Sequence, residues 1–133
     1  MVKKNPRRVL IERVQRRANL YARLRDTRKE GGAGCISCGV YKPLADLDGG
    51  HFIATTSAAV RFDERNINAQ CLRCNRFLHS NARGYYKGML AKYGPDVTAE
   101  LESQEFLTKK WQETELLALD EYYKEKIEEV KNA

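Results

Sequence analysis

The sequence predicts an α+β fold, a small two-stranded core flanked by long helices at both ends. Three observations predict it. Four cysteines stand in two Cys-x-x-Cys pairs, Cys35/Cys38 and Cys71/Cys74, with 32 residues between the pairs. Short runs of strand character lie between the pairs. Helix-period apolar patterning occupies the chain on either side. Two Cys-x-x-Cys turns can close one tetrahedral zinc site, and no cysteine is left over. At 133 residues the chain supports one domain with a modest core, which a structural metal would help to stabilise.

The first element is a helix. Asn5-Pro6 supplies an N-cap followed by proline at the first helical position. Leu10, Val14, Ala18 and Tyr21 then form an apolar seam, and Arg13, Arg16, Arg17, Arg23 and Arg25 fill much of the remainder. The helix ends before Gly31-Gly32-Ala33-Gly34. Residues 35–43 form the first metal hook. Residues 47–55 read as extended and hold His51, 56–65 as a loop, and Asn66 to Gln70 as the return strand. A helix is expected from the second cysteine pair to about Asn81, then a short one over Tyr85–Tyr93 stopped by Gly94-Pro95. The last segment, about 97–131, reads as helix with a break near Lys110. Leu116, Leu119, Tyr123, Ile127 and Val130 mark one face of it. This divides the chain into a basic helix (1–30), a metal-stapled core (31–94) and a C-terminal helical segment (95–133).

Charge is unevenly spread. Residues 1–29 carry 11 Lys/Arg against 2 Asp/Glu, and residues 96–133 carry 5 against 11, within a net charge of +6. A cationic arm beside a compact domain points to a polyanion, most simply nucleic acid. With no apolar run long enough to span a bilayer and no signal-peptide pattern, a soluble, cytoplasmic protein without a membrane partner is expected. In a reducing compartment paired Cys-x-x-Cys hooks mean metal more often than disulfide.

Inside the metal frame sit His51, preceded by two glycines, with Asp48 three residues earlier, Asn66 at the start of the return strand, and Asn75 directly after the fourth cysteine. Phosphodiester cleavage needs a base to activate water, a cation to stabilise charge, and rigid positioning. Histidine, with an ordinary pKa of about 6.5, suits the base. The glycines permit close approach of backbone or substrate. A carboxylate and an amide oxygen suit Mg²⁺ or Mn²⁺. A closed four-cysteine zinc has no open position, so its role is structural. Arg61, Arg65, Arg73 and Arg76 are candidate phosphate contacts, and the helix bearing Arg13, Arg16 and Arg17 would extend the footprint. Trp111, Tyr122 and Tyr123 are expected in the core or at an interface.

These residues resemble the HNH, or ββα-metal, nuclease superfamily, with His51, Asn66 and Asn75 at its signature positions. More closely, Cys-Ile-Ser-Cys-Gly (35–39), Asp-x-Gly-His (48–51), Arg-Phe-Asp-Glu-Arg-Asn-Ile (61–67) and Cys-x-x-Cys-Asn (71–75) resemble the NinG/Rap recombination proteins of lambdoid phages. The resemblance implies an endonuclease acting on Holliday junctions and D-loops. It makes His51 the general base, Asn66 its orienting residue, and Asn75 a ligand of the catalytic metal. Where many HNH enzymes carry Asp or His directly before the base, this sequence has Gly50; Asp48 is the substitute, with Asp63 or His79 as alternatives. Longer relatives carry a further cysteine-rich N-terminal region. A two-fold dimer would suit a symmetric junction, and partner recombination proteins are a further expectation. Two other readings stand beside this one: a zinc-stapled DNA-binding module without catalysis, and an HNH nickase on duplex DNA.

Overall fold

The structure, a computed structural model, describes residues 5–133. Helix α1 spans Pro6–Asp26; Asn5 caps it by accepting from the Arg7 N–H at 2.8 Å. Strands β1 (Gly32–Gly34) and β2 (Tyr41–Pro43) form a small antiparallel hairpin around the first cysteine pair. The sequence gives no period-2 signal for these strands. They form because the knuckle closes on itself, with Cys35 N–H to Val40 O and Gly39 N–H to Cys35 O, each 2.8 Å.

Strands β3 (Leu47–His51) and β4 (Ile67–Cys71) form the second antiparallel pair, with Asp48 opposite Gln70 and His51 opposite Ile67. The expected extended stretch over 47–55 is therefore shorter, ending at His51. The expected helix over 71–81 is also revised. Residues Arg73–Phe77 make a single π-helical turn, and a tight turn at 79–81 follows in which His79, Ser80 and Asn81 all have positive φ (47°, 66° and 40°). Tertiary contacts override helix propensity here. The Ser80 carbonyl accepts from Gln70 Nε2 at 2.7 Å and Ser37 Oγ at 3.3 Å, and Asn81 Nδ2 reaches Cys74 Sγ at 3.5 Å. Helix α2 (Ala82–Ser103) breaks at Gly94, φ 87°, just before Pro95, where the sequence predicts a stop.

Helix α3 (Glu113–Lys131) begins with a reciprocal capping box between Gln112 and Glu115. Its expected face holds: Leu116, Tyr123 and Ile127 are buried against Val14, Ala18, Tyr21 and Ala22 of α1, with Leu119 and Val130 beside them. Trp111 packs edge-on against Phe62 and donates to the Ala58 carbonyl at 2.9 Å; Tyr122 stays partly exposed. A second cluster joins Tyr85, Met89 and Leu101 of α2 to Ile53 and Val60. Helix α1 also packs on β3 and β4, so it lies between the central hairpin and α3. Among the described residues, no helix is long and apolar enough to cross a membrane.

Candidate metal centre and adjoining cleft

The four cysteine sulfurs all lie within 4.8 Å of one another, and Cys38 and Cys71 Sγ are 3.8 Å apart. Four sulfurs about 2.3 Å from a tetrahedral zinc would be separated by about 3.8 Å, so the cluster has zinc's dimensions. Burial and the neighbouring sulfurs push Cys74 up to about 12. A bound divalent ion would reverse that balance and hold the thiolates. N–H groups already point at the sulfurs: Ser37 to Cys35 at 3.4 Å and Cys74 to Cys71 at 3.5 Å.

Both cysteine turns are tied to the hairpin that carries His51. Ile36 N–H donates to Ala69 O at 2.9 Å, and β4 ends at Cys71 itself. Side chains alternate along β3. Gly49 and His51 face α1, whereas Asp48 and Gly50 face the 73–81 segment and α2. A Cβ at Gly49 would lie 2.8 Å from the Cβ of Asn19, and one at Gly50 would lie 1.9 Å from Gln70 Oε1. The close approach these glycines allow is thus made by the protein's own elements. It also explains the absent ligand before His51: Gln70, fully buried, occupies the space a side chain at 50 would need.

His51 Nε2 lies 3.0 Å from the Arg61 carbonyl oxygen. A carbonyl only accepts and calls for a proton on Nε2, whereas the Gln15 amide nitrogen, 3.1 Å from the same ring nitrogen, only donates and calls for a lone pair there; each tautomer makes one of the two bonds. No side chain or backbone group among the described residues is hydrogen-bonded to Nδ1. Burial lowers the imidazole's pKa below its ordinary value, and the Arg61 charge lowers it further, against the opposing carbonyl bond. His51 is therefore neutral at pH 7.

Two cavities of about 520 Å³ each flank this region and share Asn19, Gly49 and Asn75 in their walls. One holds His51 and His79; the other holds Asp48, Arg16 and Arg23. Asn75 Nδ2 donates to Asp48 Oδ2 at 2.8 Å, and Arg76 grips both carboxylate oxygens at 3.0 Å. Burial alone would raise Asp48, but Arg76 and Asn75 outweigh it and hold the carboxyl below its usual range. Asn75 thus stands in the wall of both cavities, with His51 in one and Asp48 in the other. The four cysteines are the only His/Cys/Asp/Glu group among the described residues dense enough to hold a metal.

Several expected residues lie elsewhere. Asn66 is fully buried and bonds the loop rather than the imidazole, with contacts to Ile53 N–H (2.8 Å), Ile53 O (2.9 Å) and Val60 O (3.1 Å). Asp63 is taken by Arg65, which also binds Glu100 at 2.9 Å, so Arg65 is not free for phosphate. Arg13 and Arg17 are paired with Asp120 at 2.9 and 2.7 Å. Arg73 is exposed beside the cysteine cluster. Arg61 has no carboxylate partner among the described residues; its Nε donates to Gln15 Oε1 at 3.0 Å and its guanidinium lies over Phe62.

The sequence reading missed Gln15, Asn19 and Arg23. Gln15 Nε2 donates to Asn19 Oδ1 at 2.9 Å and Arg61 O at 3.2 Å, and lies 3.1 Å from His51 Nε2. The three residues recur at a spacing of four beside the apolar seam of α1, a polar stripe that helix periodicity could have singled out.

No solved structure matches the chain. Curated relatives do. It is 33% identical over 129 residues to protein ninG of Escherichia phage 933W, covering 96% of this chain and 61% of that protein. It is 32% identical over 129 residues to protein ninG of Escherichia phage lambda, covering 96% of this chain and 60% of that protein. The figures for protein ninG of Salmonella phage P22 are 32% over 129 residues, 96% and 61%. The chain spans about three fifths of the length of these relatives. Residues 1–133 match the family model described as Bacteriophage Lambda NinG protein, and the chain belongs to that NinG family.

Proposed function

We propose that the protein is an HNH-type, divalent-metal-dependent endonuclease acting on branched DNA recombination intermediates. The observation that carries this reading is the His51 imidazole, held at Nε2 between the Arg61 carbonyl and Gln15, lowered in pKa by burial, and set in the wall of a cavity that it shares with Asn75.

In this reading, Nδ1 of His51 takes a proton from the attacking water. The Arg61 carbonyl and Gln15 hold the ring in place. Arg61, Arg16 and Arg23 contact the phosphates flanking the scissile bond, with Arg73 and Arg76 extending the track. Asp48 and Asn75 are the residues that would hold Mg²⁺ or Mn²⁺, and the bound cation would supply charge for the phosphate and the leaving oxygen. The donor set fits because Mg²⁺ is commonly held by one or two carboxylates, with water and phosphate completing its shell. Arg76 is exposed, so it can leave Asp48 for a phosphate. Asn66 supports the reaction through the loop it ties down.

A catalytically inactive DNA-binding module is the second reading, favoured by Arg76 neutralising the one carboxylate of the groove. Gel cleavage of a synthetic four-way junction and a matched linear duplex separates the two, with Mg²⁺, with Mn²⁺ and without added divalent ion. Metal-dependent cutting of the junction that is lost in His51→Ala supports the nuclease. Equal cutting of both DNAs keeps the active site and discards the branched substrate. Binding without cutting by zinc-loaded protein supports the module.

A further inference from the structure

The segment 65–95 holds six Lys/Arg and no Asp/Glu. Three of these cations, Arg73, Arg83 and Lys87, have no ion-pair partner among the described residues and are exposed. In their midst Phe77 is 75% exposed and Leu78 41% exposed. The exposure is imposed by the backbone. Phe77 ends the π-helical turn that carries the fourth cysteine, and the left-handed run His79–Asn81 then reverses the chain before α2. Left-handed backbone is unfavourable for non-glycine residues. It is held here by Gln70, Ser37 and Cys74. The fold therefore spends stability on a turn that presents an aromatic ring to solvent. Phe77 lies two residues past Asn75 and two before His79, both of which line the His51 cavity.

An exposed aromatic ring in a segment that carries six cations and no acid of its own suits a nucleic acid whose bases are accessible. In continuous duplex the bases are stacked on one another. At a branch point or gap they can be unstacked. We infer that Phe77 is a base-stacking residue that engages an unpaired or unstacked base at a DNA discontinuity, with Arg73 and Arg83 on the adjoining phosphates. This rests on the proposed DNA substrate but not on cleavage. It gives the groove a means of telling branched DNA from duplex, which His51 and the arginines by themselves lack.

The test is equilibrium binding of the full chain, without added divalent ion, to a four-way junction, a gapped duplex and an intact duplex of matched sequence. Wild type should bind the junction and gapped DNA more tightly than duplex. Phe77→Ala should lose about tenfold or more on the first two, since stacking on one aromatic ring contributes about 1–3 kcal/mol per base. Its duplex affinity should be unchanged. Phe77→Trp should retain the preference, whereas Phe77→Leu should not. Zinc content and circular dichroism equal to wild type establish that the variants fold. Equal binding of all three DNAs by wild type, or a preference that survives in Phe77→Ala, overturns the inference and leaves Phe77 to a protein partner. If no DNA is cut but the Phe77-dependent preference persists, the nuclease reading fails and this inference stands.

Discussion

Arg17 of α1 places Nη1 2.7 Å from Oδ1 of Asp120 on α3, and the same carboxylate takes Arg13 at 2.9 Å. One acid thus latches the two terminal helices and removes two arginines from the cationic face. Asp120→Ala should lower stability by about 1–2 kcal/mol, between the values of exposed and buried pairs, because its side chain is only 11% exposed. Urea unfolding measures this. The same variant should raise non-specific duplex affinity and steepen its salt dependence, since two cations are released to bind phosphate. An unchanged salt slope would show that neither arginine reaches DNA.

His51 gives the pH dependence. Its pKa is lowered by burial, so the neutral form persists to below the ordinary value of about 6.5. Cleavage should therefore be flat through pH 7 and fall only on the acid side, with a midpoint under 6.5. The linkage sign agrees: the unfolded state binds the proton more readily, so this residue's contribution to stability is present above about pH 6.5 and is lost as pH falls through the folded pKa. A pH–rate profile in a non-chelating buffer checks it. His51→Ala should lose cleavage by 10²-fold or more, on the scale of a general base.

The glycines before His51 make a paired prediction. At Gly50 an added Cβ meets the end of the buried Gln70 side chain, and at Gly49 it meets Cα and O of Asn19 at 2.9 Å. Gly50→Ala should cost about 1–3 kcal/mol through overpacking. Gly49→Ala should cost more, because helix backbone must move. Unfolding midpoints of the two variants order them.

Metal analysis should find one zinc per chain. Cys74→Ser should lose that zinc, and it should also release Asn81, whose amide contacts the Cys74 sulfur. Hydrogen exchange should then quicken over residues 73–84 before it does in α1 and α3, whose contact with each other does not involve the cysteines.

The elements that were legible in the sequence were those whose signal is local. The α1 seam, the α3 face from Leu116 to Val130, the break at Gly94-Pro95 and the cysteine cluster follow from period, caps and spacing. The helix expected over 71–81 failed because Gln70, just before the segment, and Ser37, 43 residues before Ser80, capture the Ser80 carbonyl. Pairing of Arg13 and Arg17 with Asp120, 107 and 103 residues on, cannot be read from either segment alone. Strand alternation sends Asp48 and His51 to opposite faces of β3, and the bond from Asn75 to Asp48 exists only once the chain is folded, whereas Gln15 and Asn19 were concealed in a helix whose charge drew attention first.

The packing of α1 against α3 also bears on how the chain comes off the ribosome. Val14, Ala18 and Tyr21 are made about a hundred residues before the surface that covers much of them, Leu116, Tyr123 and Ile127. Until then a nascent chain can close its metal knuckles and pair β3 with β4 while one side of its first helix stays wet. Contacts of this sequence separation form late and slowly. The newborn protein thus passes through a stage with a sticky amphipathic helix, at which chaperone capture or aggregation competes with completion of the fold.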